Sequence, residues 1–126
     1  MEIGPLISRQ VLSVGLDHTL AETAKRMGDA GVGAAVVDTD EGYPGIITER
    51  DLLKAIADGI DLNQAKVSEH MTSTPVTASE NWDVAAAARE MVRGKFRHLI
   101  VLDSERRVSG MLSIRDLVET LLDSLE

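Results

Sequence analysis

Two helix-period stripes and two strand-length apolar runs, each present twice, organise this chain before any residue is given a role. Leu20, Ala24 and Met27 recur at i, i+4 and i+7, and Val84, Ala88 and Met91 do the same. That spacing places each trio on one helix face, turned toward a core. Asp17 and Asn81 stand where the N-caps of these helices are expected, and Gly31 and Gly94 where the helices should stop. Short extended segments at 11–14 and 76–78 precede them. After them come continuous apolar runs, 34–38 and 98–103, of buried-strand length. Each run leads through a polar turn to a second strand near Gly45 or Gly110. A closing helix follows, carrying Leu52, Leu53, Ile56 and Ala57 or Leu117, Val118, Leu121 and Leu122. The pattern predicts strand, helix, strand, strand, helix, twice over.

The duplication extends to the letters. GIITERDL, from Gly45 to Leu52, realigns with GMLSIRDL, from Gly110 to Leu117, at an offset of 65. Val36, Val37 and Asp38 pair with Val101, Leu102 and Asp103 at the same offset, whereas Leu20, Ala24, Lys25 and Met27 face Val84, Ala88, Arg89 and Met91 at 64. One residue is therefore expected to be gained or lost near Gly31. The repeats are placed at 8–60 and 67–125, joined by a linker at 61–66. A unit of about 55 residues is too small to cover both faces of a three-stranded sheet. The expected fold is accordingly α/β (α+β): a tandem pair of β-α-β-β-α repeats packed sheet to sheet, with clefts between them where small ligands would sit.

Composition narrows the function classes. The chain has 126 residues, 44% of them hydrophobic, enough for one compact domain. Thirteen Lys and Arg against 21 Asp and Glu give a net charge of −8, which disfavours nucleic acid and anionic membrane surfaces. Aromatic content of 2% leaves no stacking platform for single strands. With no cysteine, disulfides, thiolate chemistry and the usual structural zinc sites fall away. The segment MEIGPLISRQ lacks a basic, then apolar leader, and no apolar run approaches membrane-spanning length, so a cytoplasmic location is expected. His18, His70 and His98 have no metal-ligand spacing.

The repeated motif has two readings. Thr48, Glu49, Arg50 and Asp51, and Ser113, Ile114, Arg115 and Asp116, sit at strand-to-helix junctions. A hydroxyl followed three residues later by an acid is a capping box, worth about 1 kcal/mol. The same junction offers a phosphate backbone amides, a hydroxyl and an arginine in the same turn, and the Asp carboxylate can accept ribose hydroxyls. Cap and ligand site are compatible roles.

GIITERDL and GMLSIRDL resemble the nucleotide signature of CBS (cystathionine-beta-synthase-type) domains, and the two-copy layout resembles that family over roughly 8–125. Gly31-Val32-Gly33-Ala34, Phe96-Arg97-His98-Leu99 and the stretch from Val67 to Thr72 add to the likeness. The resemblance implies AMP, ADP, ATP or S-adenosylmethionine as a regulatory ligand and no required cofactor. By it, Thr48 and Ser113 bind phosphate, with Arg50, Arg115, Arg97 and His98 as further phosphate contacts. Asp51 and Asp116 bind ribose. Adenine lies against Val32, Gly33 and Ala34 in one cleft and near Val76 and Thr77 in the other. The first copy has Val32 and Gly33 where Arg97 and His98 stand in the second, so the clefts should differ in affinity.

The function expected is that of a non-catalytic adenine-nucleotide sensor that signals to an effector protein. The alternative is a constitutive dimerisation or partner-docking module with vestigial clefts. No serine, histidine and acid set, glycine-rich loop or metal cluster supplies an enzyme's chemistry. The closing helices carry more than one apolar stripe, and the resemblance implies that such helices pair two modules, so a homodimer is expected.

Overall fold

In the computed structural model, which describes residues 1–125, the chain forms two compact units, each a three-stranded sheet with helices against one face. The mixed α/β class and the repeated β-α-β-β-α order are as expected.

The first unit spans Leu12–Pro75. It contains β1 (Ser13–Gly15), α1 (Leu20–Ala30), β2 (Ala34–Asp38), β3 (Gly45–Thr48), α2 (Glu49–Ala57) and the short α3 (Val67–His70). β1 runs parallel to β2, and β2 antiparallel to β3. Alternation along β2 and β3 sends Ala35, Val37 and Ile47 to the helix side, where they pack with Val14, Leu20, Met27 and Leu52. Ala65 and Val67 close the same core. The N-cap of α1 is Thr19, two residues beyond the expected Asp17. Its hydroxyl accepts from the Glu22 amide at 3.1 Å while Glu22 reaches back to the Thr19 amide at 3.3 Å. His18 is structural, its Nδ1 accepting the Gly15 amide at 2.7 Å. Gly31 ends the helix with φ of 68°, where a side chain would be strained.

The second unit joins residues 76–125 to residues 1–11. Its elements are β4 (Thr77–Ser79), α4 (Val84–Gly94), β5 (His98–Leu102), β6 (Val108–Ser113) and α5 (Ile114–Ser124), with the same parallel-then-antiparallel order. Asp83, not Asn81, caps α4, accepting from the Ala85 amide at 3.1 Å, and Lys95, not Gly94, takes the left-handed closing position at φ 58°. β1 and β4 each begin one or two residues later than expected.

The expected repeat bounds follow the sequence; the compact units cut the chain differently. Val67, expected to open the second repeat, is fully buried in the first core, and Ile3, upstream of the first repeat, is fully buried in the second. Residues 1–9 form a strap. Ile3 and Gly4 donate their amides to the Trp82 and Glu80 carbonyls, each at 2.9 Å, and Ser8 and Met111 exchange backbone bonds at 2.9 Å. The Arg9 guanidinium lies 2.7 Å from the Glu80 carboxylate.

Strand register also moves the extra residue. Ala34 pairs with Thr48 and His98 with Ser113, so β2 and β5 correspond at an offset of 64 while β3 and β6 correspond at 65. The insertion is not near Gly31 but between β5 and β6, where the register shifts at Val101 and Leu102. An apolar run reads almost as well one residue out of phase, which is why letters alone misplaced it.

Two outcomes test the packing. A Cβ at Gly110 would sit 2.5 Å from the Ser8 carbonyl oxygen, whereas at Gly45 the backbone atom met, the Thr72 oxygen, is 3.0 Å away and the closest contact is the flexible end of Met71. Gly110→Ala should therefore lower the melting temperature more than Gly45→Ala, by an overpacking cost of about 1–3 kcal/mol. Arg9 holds the Glu80 carboxyl below its usual range, first through the hydrogen bond. The stabilisation this carries is present above the unfolded-state value and is lost as pH falls through the folded one. In melting curves between about pH 6 and about pH 3, around the ordinary Glu range, Glu80→Gln should lose less stability than the parent. Glu22, Asp83 and Asp103, also held low, leave an acid limb in the variant.

Candidate nucleotide site

Each unit carries one copy of the motif where its last strand turns into its last helix. Thr48 is the N-cap of α2 and Ser113 that of α5, both in extended backbone. The Asp51 Oδ2 accepts from the Thr48 amide at 2.8 Å and from its hydroxyl at 3.2 Å, and that hydroxyl accepts the Asp51 amide at 3.3 Å. Asp116 repeats this around Ser113 at 2.9, 2.9 and 3.2 Å. Both boxes are closed, and in both the carboxylate uses the same oxygen, Oδ2. The adjoining amides are occupied too: Glu49 donates to the Gly33 carbonyl at 2.9 Å and Ile114 to the Arg97 carbonyl at 2.8 Å. An open nest of first-turn amides, expected from the junction alone, is thus largely consumed internally. What faces outward is a hydroxyl, a carboxylate and a neighbouring guanidinium.

Register decides which side these groups occupy. Paired strand residues share a face, and residues two apart along a strand do as well. Thr48, Ala34 and Ser13 therefore stand on the sheet face opposite the helix-packed core of the first unit, through the pairs Ala34–Thr48 and Ser13–Val36. Ser113, His98 and Thr77 stand on the corresponding face of the second, through His98–Ser113 and Thr77–Ile100. Ala34 is buried, His98, Thr77, Thr48 and Ser113 half-buried. The structure thus brings Thr77, His98, Ser113 and Asp116 into one neighbourhood and Ala34, Thr48 and Asp51 into another. Gly33 and Arg97 are bonded to the helix starts. Arg50 and Arg115 are exposed in the first helical turns, Arg115 paired with Glu119 at 3.2 Å. Val32 lies at the end of α1, its amide on the Met27 carbonyl, and Val76 is exposed just before β4.

One assignment is corrected. The residues of the first unit that correspond to Arg97 and His98 are Gly33 and Ala34, not Val32 and Gly33, because register sets the offset there at 64. Register also adds a position that was not singled out from the sequence: Ser13, the counterpart of Thr77. The same offset of 64 between the two halves would have found it. A groove of about 410 Å³ along α4, lined by Trp82, Asp83, Ala86, Arg89, Glu90 and Arg93, contains none of the motif residues. Among the described residues there is no cluster of His, Asp and Glu able to hold a metal ion, and no helix is long and apolar enough to cross a membrane.

The CBS domain family model matches residues 3–58 and 67–123. The chain belongs to the CBS domain family. Among solved CBS structures, a protein from Pyrobaculum aerophilum complexed with AMP is 30% identical, covering 98% of this chain and 97% of that one with a TM-score of 0.87. One from Agrobacterium tumefaciens is 34% identical, covering 96% and 99%, at 0.88. An uncharacterised 17.7 kDa protein of Acidianus ambivalens is 36% identical over 97% of this chain and 74% of its own length. Other CBS relatives are longer; the chain spans 21% of an Arabidopsis thaliana CBS domain-containing protein at 32% identity.

Proposed function

We propose that this CBS pair is a non-catalytic regulatory module that binds an adenine nucleotide in the cytoplasm and reports its presence to an effector protein. One observation carries the reading: a hydroxyl and an aspartate joined by the same bonds recur at both strand-to-helix junctions, in a chain 30% identical over nearly its whole length to a relative solved with AMP. In this reading Thr48 and Ser113 bind phosphate, with Arg97 and His98 beside Ser113 and with Arg50 and Arg115 supporting from the helix. Asp51 and Asp116, whose Oδ2 already closes the cap, accept ribose hydroxyls. Adenine lies beside Gly33 and Ala34, with Val32 at its margin, or beside Val76 and Thr77. AMP, ADP, ATP and S-adenosylmethionine all carry the adenosyl group these residues address.

A second reading, a dimerisation module with unused sites, is favoured by the exposed apolar residues of the closing helices: Leu53 at 66% and Ile56 at 57% on α2, Leu121 at 61% and Leu122 at 55% on α5, with Leu125 at 75% beyond. Exposed apolar patches mark interaction surfaces and twofold dimers are the commonest homo-oligomers, and the two readings are compatible.

Light scattering at micromolar concentration should give twice the chain mass, and Leu121→Glu with Leu53→Glu should give a monomer. A parent protein that scatters as a monomer would count against assembly. Calorimetric titration decides the nucleotide role. Asp51→Asn and Asp116→Asn keep an acceptor oxygen for the cap but remove the charge, and hydrogen bonds to charged groups contribute about 1.5–3 kcal/mol. AMP affinity at the altered motif should fall about tenfold or more while ligand-free melting changes little. Unaltered affinity in both variants would refute the ribose role. AMP at a hundred times its dissociation constant should add about 2.7 kcal/mol of stability to the parent.

A further inference from the structure

The two motifs are bonded alike but charged differently. In both, the amide of the first helical residue donates to the carbonyl of the residue before the core strand; the bonded pair is Arg97 and Ile114 in the second unit, Gly33 and Glu49 in the first. A cation beside a neutral residue is thus replaced by no side chain beside an anion. The cross-strand partner of the hydroxyl differs as well, half-buried His98 against buried Ala34. At the Ser113 junction the charged residues are Arg97, Arg115 and Asp116, with Arg115 paired to Glu119 at 3.2 Å; at the Thr48 junction they are Glu49, Arg50 and Asp51. With that ion pair set against itself, the balance goes from neutral at Ser113 to one net negative charge at Thr48. Lys54 stands six helical positions from the Thr48 hydroxyl, about 9 Å along the axis, close to the screening length of physiological salt, whereas Glu49 and Arg97 belong to the bonded junction itself.

We infer that the second unit's motif takes a phosphorylated adenine nucleotide and the first unit's motif an adenine nucleoside whose 5′ group is neutral or cationic. The inference rests on the adenosyl-binding reading above and assigns a ligand class to each site. A phosphate dianion at Thr48 would meet Glu49 without the cation and imidazole that receive it at Ser113. A 5′ sulfonium at Thr48 would meet a carboxylate instead.

Calorimetry with AMP, adenosine and S-adenosylmethionine tests it on the parent, Arg97→Gly, Glu49→Ile, Asp51→Asn and Asp116→Asn. AMP should bind the parent at one site, lost in Asp116→Asn. Its affinity should fall about tenfold or more in Arg97→Gly, as removal of a charge-assisted contact implies, while adenosine changes less than about threefold. Glu49→Ile should open a second AMP site, and S-adenosylmethionine binding should be lost in Asp51→Asn. Equal AMP affinity at both motifs, or no effect of Arg97→Gly and Glu49→Ile, would overturn the assignment while leaving the adenosyl reading intact. Failure of all three compounds to bind the folded parent would instead overturn that reading and this inference together. Ligand-free melting of each variant separates lost binding from lost folding.

Discussion

The reciprocal bond between a strand-end hydroxyl and the aspartate three residues later fixes where each last strand stops, where each last helix begins and which way the hydroxyl faces. With Thr48 and Ser113 at the N-cap, extended backbone gives way to helix in a single step. Strand pairing then puts the hydroxyl on the sheet face away from the core. The same atoms that would meet a ligand are therefore held by the fold before any ligand arrives. This is preorganisation in a literal sense: the carboxylate's rotamer is set by the cap, so less side-chain entropy remains to be lost on binding. It also means that replacing the acid by an apolar residue would damage folding and binding together, and only a charge-removing isostere separates them.

The remaining architecture serves to hold those two junctions rigid on very little material. Each sheet has three strands, and strands β1 and β4 are only three residues long. A helix layer over so small a sheet leaves its core open, and each unit closes it with a segment from outside its own β-α-β-β-α run: Ala65 and Val67 in one, Ile3 in the other. Burying an isoleucine or valine completely contributes about 1.5–3 kcal/mol, more than the exposed Arg9–Glu80 pair beside it is expected to provide. The apolar plug holds the strap, and the ion pair orients its end.

Most of the fold was legible because two independent periodicities agreed. The stripes of Leu20 and Met27 and of Val84 and Met91 marked helices, and the repeated GIITERDL and GMLSIRDL marked equivalent junctions. The caps were displaced by two residues because Asp17 and Asn81 are as good cap formers in isolation as Thr19 and Asp83; which of two adjacent candidates closes a helix depends on where the strand before it stops. The site was legible as a set of residues and less so as a geometry. Thr48, Asp51, Ser113 and Asp116 announce themselves by repetition. The equivalence of Ala34 with His98 does not, because it depends on a one-residue slip hidden in apolar runs that only hydrogen-bond register exposes. Ser13 was overlooked for a related reason: its counterpart Thr77 drew notice through the family likeness, and the match of Val11-Leu12-Ser13-Val14 to Pro75-Val76-Thr77-Ala78 shows only once the offset of 64 is carried upstream to the first strand.

The strap also has a consequence in time. During synthesis Ile3 emerges long before Trp82, Leu99 or Leu112, the residues it packs with or bonds to, whereas the buried residues that share a core with Val67 have already emerged when it appears, and Met71, which bonds to it, follows four residues later. The first unit can close its core as soon as the chain reaches α3. The second must wait for nearly its whole length and then close a loop of about eighty residues, at an entropic cost that grows only as the logarithm of that length but falls on the slow, non-local contacts that limit folding rate. The two halves, nearly identical in pattern, are thus built by different routes: one vectorially, from local contacts as they are made, the other by capture of a segment synthesised long before its partners.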